Sequence, residues 1–318
     1  MERFARFSWG VLAYNLAVIA WGAFVRATGS GAGCGAHWPM CNGEVVPRAA
    51  SVETMIELTH RATSGIALVL VVVQLVWALR AFPKGHRTRA LAIATMVFML
   101  LEAAVGAALV LLELVADNQS MARAGWIAVH LVNTFLLVAS LALTPWSATR
   151  PEPAPAGRGG LTGALVLGAI LLLTTGVAGA ITALGDTLFP AESLASGMAA
   201  DLSPTAHFLV RLRVIHPVIA TAGTVYLLIL AGFLASTRHE GSFGPSTRTA
   251  AIAVASLAVT QLLAGLVNLW LLAPVWMQLV HLLLADLVWI AFVFLADAAS
   301  HTSPRGAPPA LGAAQVPR

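Results

Sequence analysis

The chain has 318 residues, 58% of them hydrophobic and only 10% charged, with a formal net charge of +4. Soluble domains carry about 25% charged residues, so this composition excludes an ordinary soluble domain and implies a bilayer. The basic pI of about 9.8 traces to arginines in particular loops and is read as membrane topology, with no nucleic-acid partner implied.

Eight apolar runs approach the ~20 residues that cross a ~30 Å hydrocarbon core: 7–25, 52–80, 89–113, 123–145, 161–183, 208–236, 249–272 and 275–296. Arg3 and Arg6 precede the first. A charged start before an apolar stretch also suits a signal peptide, but this run is long and lacks a clear small-x-small cleavage site, so an uncleaved helix is expected. Arg80, Lys84, Arg87 and Arg89 fill the second loop, Arg150 and Arg158 the fourth, Arg238 and Arg248 the sixth. Cytoplasmic loops retain positive charge, which places these loops and both termini on the cytoplasmic side. The opposite loops are mixed, with Arg26 and Arg48 beside Asp117, Asp186, Glu192 and Asp201.

The only cysteines, Cys34 and Cys41, fall in the first of those opposite loops. That side is oxidising, so a disulfide is expected, serving either as a staple or as a redox-active pair. Their spacing fits neither a zinc ribbon nor the C-x-x-C-H of covalently attached haem. The glycines of Thr28-Gly-Ser-Gly-Ala-Gly follow a helix rather than a strand and lack a Lys-Ser/Thr ending, which excludes a phosphate loop.

The second half repeats the first at an offset of about 150 to 160 residues. The stretch Gly22-Ala-Phe-Val aligns with Gly179-Ala-Ile-Thr, the pattern around His60 with that around His216, Ala104-Val-Gly-Ala with Leu263-Ala-Gly-Leu, and the pattern around His130 with that around His281. An all-α membrane fold of eight transmembrane helices is expected, as two four-helix bundles (1–145 and 161–297). Each half holds an even number of spans, so the repeats are parallel. Pro151, Pro153 and Pro155 exclude helix from the linker 146–160, and the proline-rich tail 298–318 reads as disordered and cytoplasmic.

Ionisable groups inside spans are costly and ask for an explanation. His60, His130, His216 and His281 lie on the even-numbered spans, each about two turns, or ~10 Å, from the outer end. Four imidazoles at one depth, two per half, suit clamping a haem between two axial ligands. Zinc or copper also accept imidazole, but a closed zinc site needs more ligands than each half offers. Glu57 precedes His60 by three residues on the same helical face, and the matching residue in the second half is Arg213. A carboxylate there suits proton acceptance, and an arginine suits neutralising a propionate, as do Arg26, Arg61 and Arg211 near the outer ends; the alternative reading is snorkelling for the arginines and a pair with Arg61 for Glu57. Glu102 lies mid-span and needs an interior partner. Asn133 and Asp286 lie about a turn inward of their histidines, within reach of an imidazole's second nitrogen. His37, His86, His207, His239 and His301 read as solvated.

The run Arg26-Ala-Thr-Gly-Ser-Gly-Ala-Gly-Cys-Gly-Ala-His-Trp-Pro-Met-Cys-Asn-Gly, the sequence Glu57-Leu-Thr-His60-Arg61 and one histidine in each later even-numbered span together resemble the haem A synthase family. That resemblance covers nearly the whole chain. It implies a multi-pass enzyme of the inner (plasma) membrane that oxidises the C8 methyl of haem O to the formyl group of haem A, for terminal oxidase assembly. It further implies that His60 and His130 flank the substrate haem with Glu57 as catalytic carboxylate, that His216 and His281 hold a haem b, and that Cys34 and Cys41 match the family's loop disulfide. The implied partners are a haem O synthase as donor and terminal oxidase assembly factors; homo-oligomerisation is left open. The loop 185–206 lacks the second cysteine pair of some relatives. The competing readings are a bis-histidine cytochrome b exchanging electrons with a quinone, which predicts equivalent halves, and a transporter, for which only Pro217 hints at a broken helix.

Overall fold

The computed structural model describes residues 1–48, 50–150, 159–236 and 245–301. The described residues are helical apart from loops and one isolated bridge, Cys41 to Glu44. The helices are α1 (Glu2–Ala27), α2 (Val52–Ala81), α3 (Arg87–Leu111), α4 (Met121–Ala148), α5 (Gly159–Leu188), α6 (Leu194–Leu202), α7 (Phe208–Arg211), α8 (Ile215–Ala235), α9 (Pro245–Trp270) and α10 (Val275–His301), with 3-10 turns at Ser30–Ala32 and Leu212–Val214. Eight helical stretches are long and apolar enough to cross a membrane; the shortest has 25 residues. At 1.5 Å per residue even that one exceeds the ~30 Å hydrocarbon core.

Side-chain distribution follows from lipid as solvent. In α2 the buried residues Ala67, Val71, Gln74 and Ala78 recur every three or four positions, tracing one stripe, and Thr54 and Glu57 are buried nearer its start. Ile66, Val69, Val72, Val73 and Val76 on the same helix are exposed, as a lipid-facing surface requires. Polar groups set the ends: the Ser51, Ser120 and Ser193 hydroxyls cap α2, α4 and α6, and the His86 and His207 rings accept from backbone amides at the starts of α3 and α7.

Helices α1 to α4 pack in antiparallel neighbours, as do α5, α8, α9 and α10. The two sets meet along a seam where α4 and α1 touch α5 and α10. Phe135 stacks on Trp289 at 5.4 Å, and the Trp289 indole donates to the Phe135 carbonyl at 2.6 Å. Nearer the other end Trp146 stacks on Phe294 at 4.1 Å and donates to Asp297, which also pairs with Arg87.

Three expectations change in detail. The sixth span is interrupted: α7 stops at Arg211 and the chain turns through 212–214 before α8. Pro217 lacks an amide hydrogen and its ring crowds the carbonyl four residues back, which accounts for the break. The loop 185–206 contains α6, closed by a reciprocal Ser193–Ser196 capping box. Helix α4 continues to Ala148 and α10 to His301, so both reach into the segments expected to be linker and tail. The linker prolines, Arg158, Arg238, His239 and the tail beyond His301 lie outside the described residues.

Candidate functional site

The four histidines are built into the fold by one device, used four times. Each imidazole on an even-numbered span lies against a glycine on the preceding span. A Cβ placed on Gly22 of α1 would stand 2.9 Å from His60 Cε1; on Gly179 of α5, 2.9 Å from His216 Cε1; and on Gly265 of α9, 3.0 Å from His281 Cε1. The missing side chain lets the ring lie on helix backbone. Gly106 of α3 is looser, with its Cβ position 3.9 Å from His130 Cε1. These glycines were missed as site residues, although Gly22 pairs with Gly179 and Gly106 with Gly265 in the sequence repeat. What identifies them is the helix pairing, which no one-dimensional pattern supplies.

His216 and His281 face each other with ring centroids 6.3 Å apart at 87°. Two imidazoles bound to one metal through nitrogens at about 2.0–2.1 Å place their ring centres about 6 Å apart, so this pair fits axial ligation of a single iron. Nδ1 of His60, His130 and His281 is buried without a protein hydrogen bond. Among the described residues no three His, Cys, Asp or Glu side chains gather as a metal cluster. Two-ligand pairs suit a metal that brings its own equatorial ligands.

Glu57 is 3% exposed and both its oxygens are engaged. Oε2 accepts from the Cys34 amide at 2.8 Å, and Oε1 pairs with Arg61 at 2.5 Å. The Arg61 guanidinium also donates to the carbonyls of His37 and Met40. Glu57 and Arg61 thus bind the first outer loop to α2 one turn from His60. Cys34 and Cys41 are joined in a disulfide and fully buried. The loop also presses on the start of α2: a Cβ on Gly33 would meet the Glu53 carbonyl at 2.5 Å, which gives the glycine run its reason.

Arg213 anchors the corresponding region of the second half. It pairs with Asp186 at 3.2 Å and Asp201 at 3.7 Å and donates to the Phe189 carbonyl. Burial raises the Asp201 carboxyl above its ordinary range, and Arg213 opposes that shift. Arg26 crosses the seam, donating to the Ala183 carbonyl, Thr187 and Gln278. Arg211 is exposed.

Glu102 has the interior partners it needs: Asn133 Nδ2 at 2.6 Å, Thr134 Oγ1 at 2.5 Å and His130 Nε2 at 3.6 Å. Two expectations fail here. The Asn133 amide bonds to Glu102 and the Phe98 carbonyl rather than to an imidazole, because it faces α3. Asp286 is fully buried with neither oxygen hydrogen-bonded, so it supports no imidazole either. His207, expected in solvent, stacks on Phe189 at 4.9 Å.

A polytopic helical membrane protein with a glycine-backed histidine on each even-numbered span, two of them facing each other, is the class that fold and site define. The chain belongs to the COX15-CtaA family, cytochrome oxidase assembly protein, which it matches over residues 5–293. It is 53% identical over 299 residues to proteins from two strains of Thermus thermophilus named protoheme IX farnesyltransferase, a match covering 94% of this chain and 48% of theirs. It is also 43% identical over 111 residues to the heme A synthase of Bacillus mycoides, covering 35% of this chain and 36% of that protein. The chain therefore spans about half the length of its Thermus relatives.

Proposed function

We propose that this chain is a haem A synthase of the inner (plasma) membrane, oxidising the C8 methyl of haem O to a formyl group. The observation that carries the reading is the doubled His–Gly frame, with one imidazole pair at the separation a single iron requires. The proposed arrangement is two parallel four-helix repeats, 1–145 and 161–297, with termini cytoplasmic and the histidines toward the outer face. His60 and His130 hold the substrate haem, and His216 and His281 hold a haem b, which supplies one-electron redox chemistry when bound.

The farnesyltransferase name of the Thermus relatives fits this reading. About half of each lies outside the match, and we assign the farnesyl transfer to that unmatched part. Farnesylated protohaem is the class of compound a haem A synthase consumes, so a haem O synthase is the expected donor here and terminal oxidase assembly the expected destination.

In the proposed chemistry each of two stages passes two electrons from the C8 substituent to an external electron acceptor and releases two protons, and the oxygen enters from water. Glu57 is the proposed proton acceptor, one turn from His60. Its ties to Cys34 and Arg61 support a further duty, fixing the outer loop over the substrate side, with Arg61 and the buried disulfide as its frame. Arg26, Arg61, Arg211 and Arg213 are the proposed propionate contacts.

The competing bis-histidine cytochrome predicts interchangeable halves, whereas the polar residues beside the two histidine pairs differ: Glu102 against Gln261, and Glu57 against Arg213. Expression in a host supplied with haem O, followed by mass identification of the extracted haems, tests the choice. Haem A in the wild type, and its loss in Glu57→Gln with haem still bound, is the expected result. Haem b alone in both would overturn the synthase reading. Oxygen label from dioxygen rather than water in the first alcohol product would exclude the proposed oxygen source.

A further inference from the structure

A substrate haem differs from a resident one in having to enter and leave, so at least one of its axial ligands must come off. This inference rests on the reading of the first half as the substrate side. The two halves carry the same element at the required place. Four residues before Gly106 stands Glu102, and four before Gly265 stands Gln261. Glu102 Oε1 lies 3.6 Å from His130 Nε2; Gln261 Nε2 lies 3.3 Å from His281 Nε2 and donates to the His281 carbonyl at 3.0 Å.

We propose that Glu102 is a positioning residue that makes His130 the displaceable ligand: its carboxylate receives the His130 Nε2–H whenever that nitrogen is off the iron. Three features support this. The carboxylate is held by Asn133 and Thr134, residues of the helix that carries His130, so it stays beside the ring. Its oxygens have lone pairs left for another donor. The ring also has room to move, because Gly106 backs it at 3.9 Å where the other three glycines stand at 2.9 to 3.0 Å, and the His130 side chain is 34% exposed. Gln261 offers only a neutral amide, whose Nε2 donates to the His281 carbonyl, and Gly265 holds His281 tightly. His281 is therefore the permanent ligand.

Displacement of His130 breaks one coordinate bond, Nε2 to iron, and moves no electron; release of the haem breaks the His60 bond as a second step. The lone pair stays on nitrogen, and the single imidazole proton sits on Nδ1 in the ligating tautomer and on Nε2 in the parked one, relocated through water.

The test uses purified haem-loaded protein, reading haem release to apomyoglobin and the rate of carbon monoxide binding after reduction, with His60→Ala and His281→Ala assigning each signal to a half. Wild type is expected to release haem and bind carbon monoxide at the first half only. Glu102→Gln replaces a charge-assisted hydrogen bond with a neutral one and is expected to slow both about tenfold. Gln261→Glu is expected to give the second half carbon monoxide binding that it lacks in the wild type, with the haem-to-protein ratio and the spectrum before carbon monoxide unchanged, which separates the gain from misfolding. Rates in Glu102→Gln within twofold of wild type, or an unresponsive second half in Gln261→Glu, would overturn the role of Glu102. A wild type that exchanges nothing at its first half would instead overturn the substrate reading itself.

Discussion

Residues 1–148 and 159–301 place a polar anchor at matching positions and build it from opposite charges. In the first, Glu57 accepts from the Cys34 amide and pairs with Arg61, over a loop closed by a disulfide. In the second, Arg213 pairs with Asp186 and Asp201 and donates to the Phe189 carbonyl, over a loop that folds into α6. The glycine and histidine frame is common to both, while the polar groups around it differ. The repeat therefore supplies one glycine-backed histidine geometry twice, and the side chains between frame and loop distinguish the two copies.

The largest expected effect comes from removing the covalent tie that only the first half has. Replacing Cys34 and Cys41 together by Ser opens a loop with a sequence separation of 7, and loop-closure entropy puts the loss at about 2.5 kcal/mol. The consequence is local, because the second half uses no disulfide: limited proteolysis should cut the first outer loop at least tenfold faster while the region 185–206 is cut as before. Unchanged cutting would mean that Glu57 and Arg61 hold the loop unaided, and the contrast between covalent and ionic closure would fall.

The eight spans were legible because lipid imposes one strong rule, and a run such as 161–183 obeys it without a single charged residue. The four intramembrane histidines were legible because charge and polarity are scarce there, so each imidazole stands out. The glycine behind each ring was not, since a glycine in an apolar run reads the same whether it faces lipid or an imidazole. The role of Arg213 was also hidden: its partners Asp186 and Asp201 are 27 and 12 positions away by the numbering, and only the folding back of α6 brings them to one guanidinium. The interruption at 212–214 was foreshadowed by Pro217, but a single proline does not say whether a helix bends or breaks.

A smaller effect tests the frame itself. Gly265→Ala puts a methyl group 3.0 Å from His281 Cε1, whereas Gly106→Ala leaves 3.9 Å to His130 Cε1, an ordinary contact. Overpacking of this kind costs about 2 kcal/mol, within a range of 1–3, so Gly265→Ala is expected to weaken haem retention in the second half by about thirtyfold. Gly106→Ala is expected to change the first half by less than about twofold. The haem-to-protein ratio of the purified variants reads both. Equal losses would show that the looser backing of His130 has no consequence, and the contrast between a displaceable and a permanent ligand would lose one of its supports.

The smallest effect falls on the seam, and its value lies in what it should leave alone. Trp289 is 5% exposed, stacks on Phe135 and donates to the Phe135 carbonyl. Phe135 lies inside α4, where that carbonyl already has an intrahelical partner, so Trp289→Phe keeps an aromatic contact and strands no acceptor. The cost is that of one neutral hydrogen bond, ~1 kcal/mol, seen as a slightly lower melting temperature. Each histidine and its glycine belong to helices on the same side of the seam, so the absorption spectra of both haems should be unchanged. A shift in either would mean that the two halves tune each other across α4 and α10, and that their differences cannot be assigned to residues on one side alone.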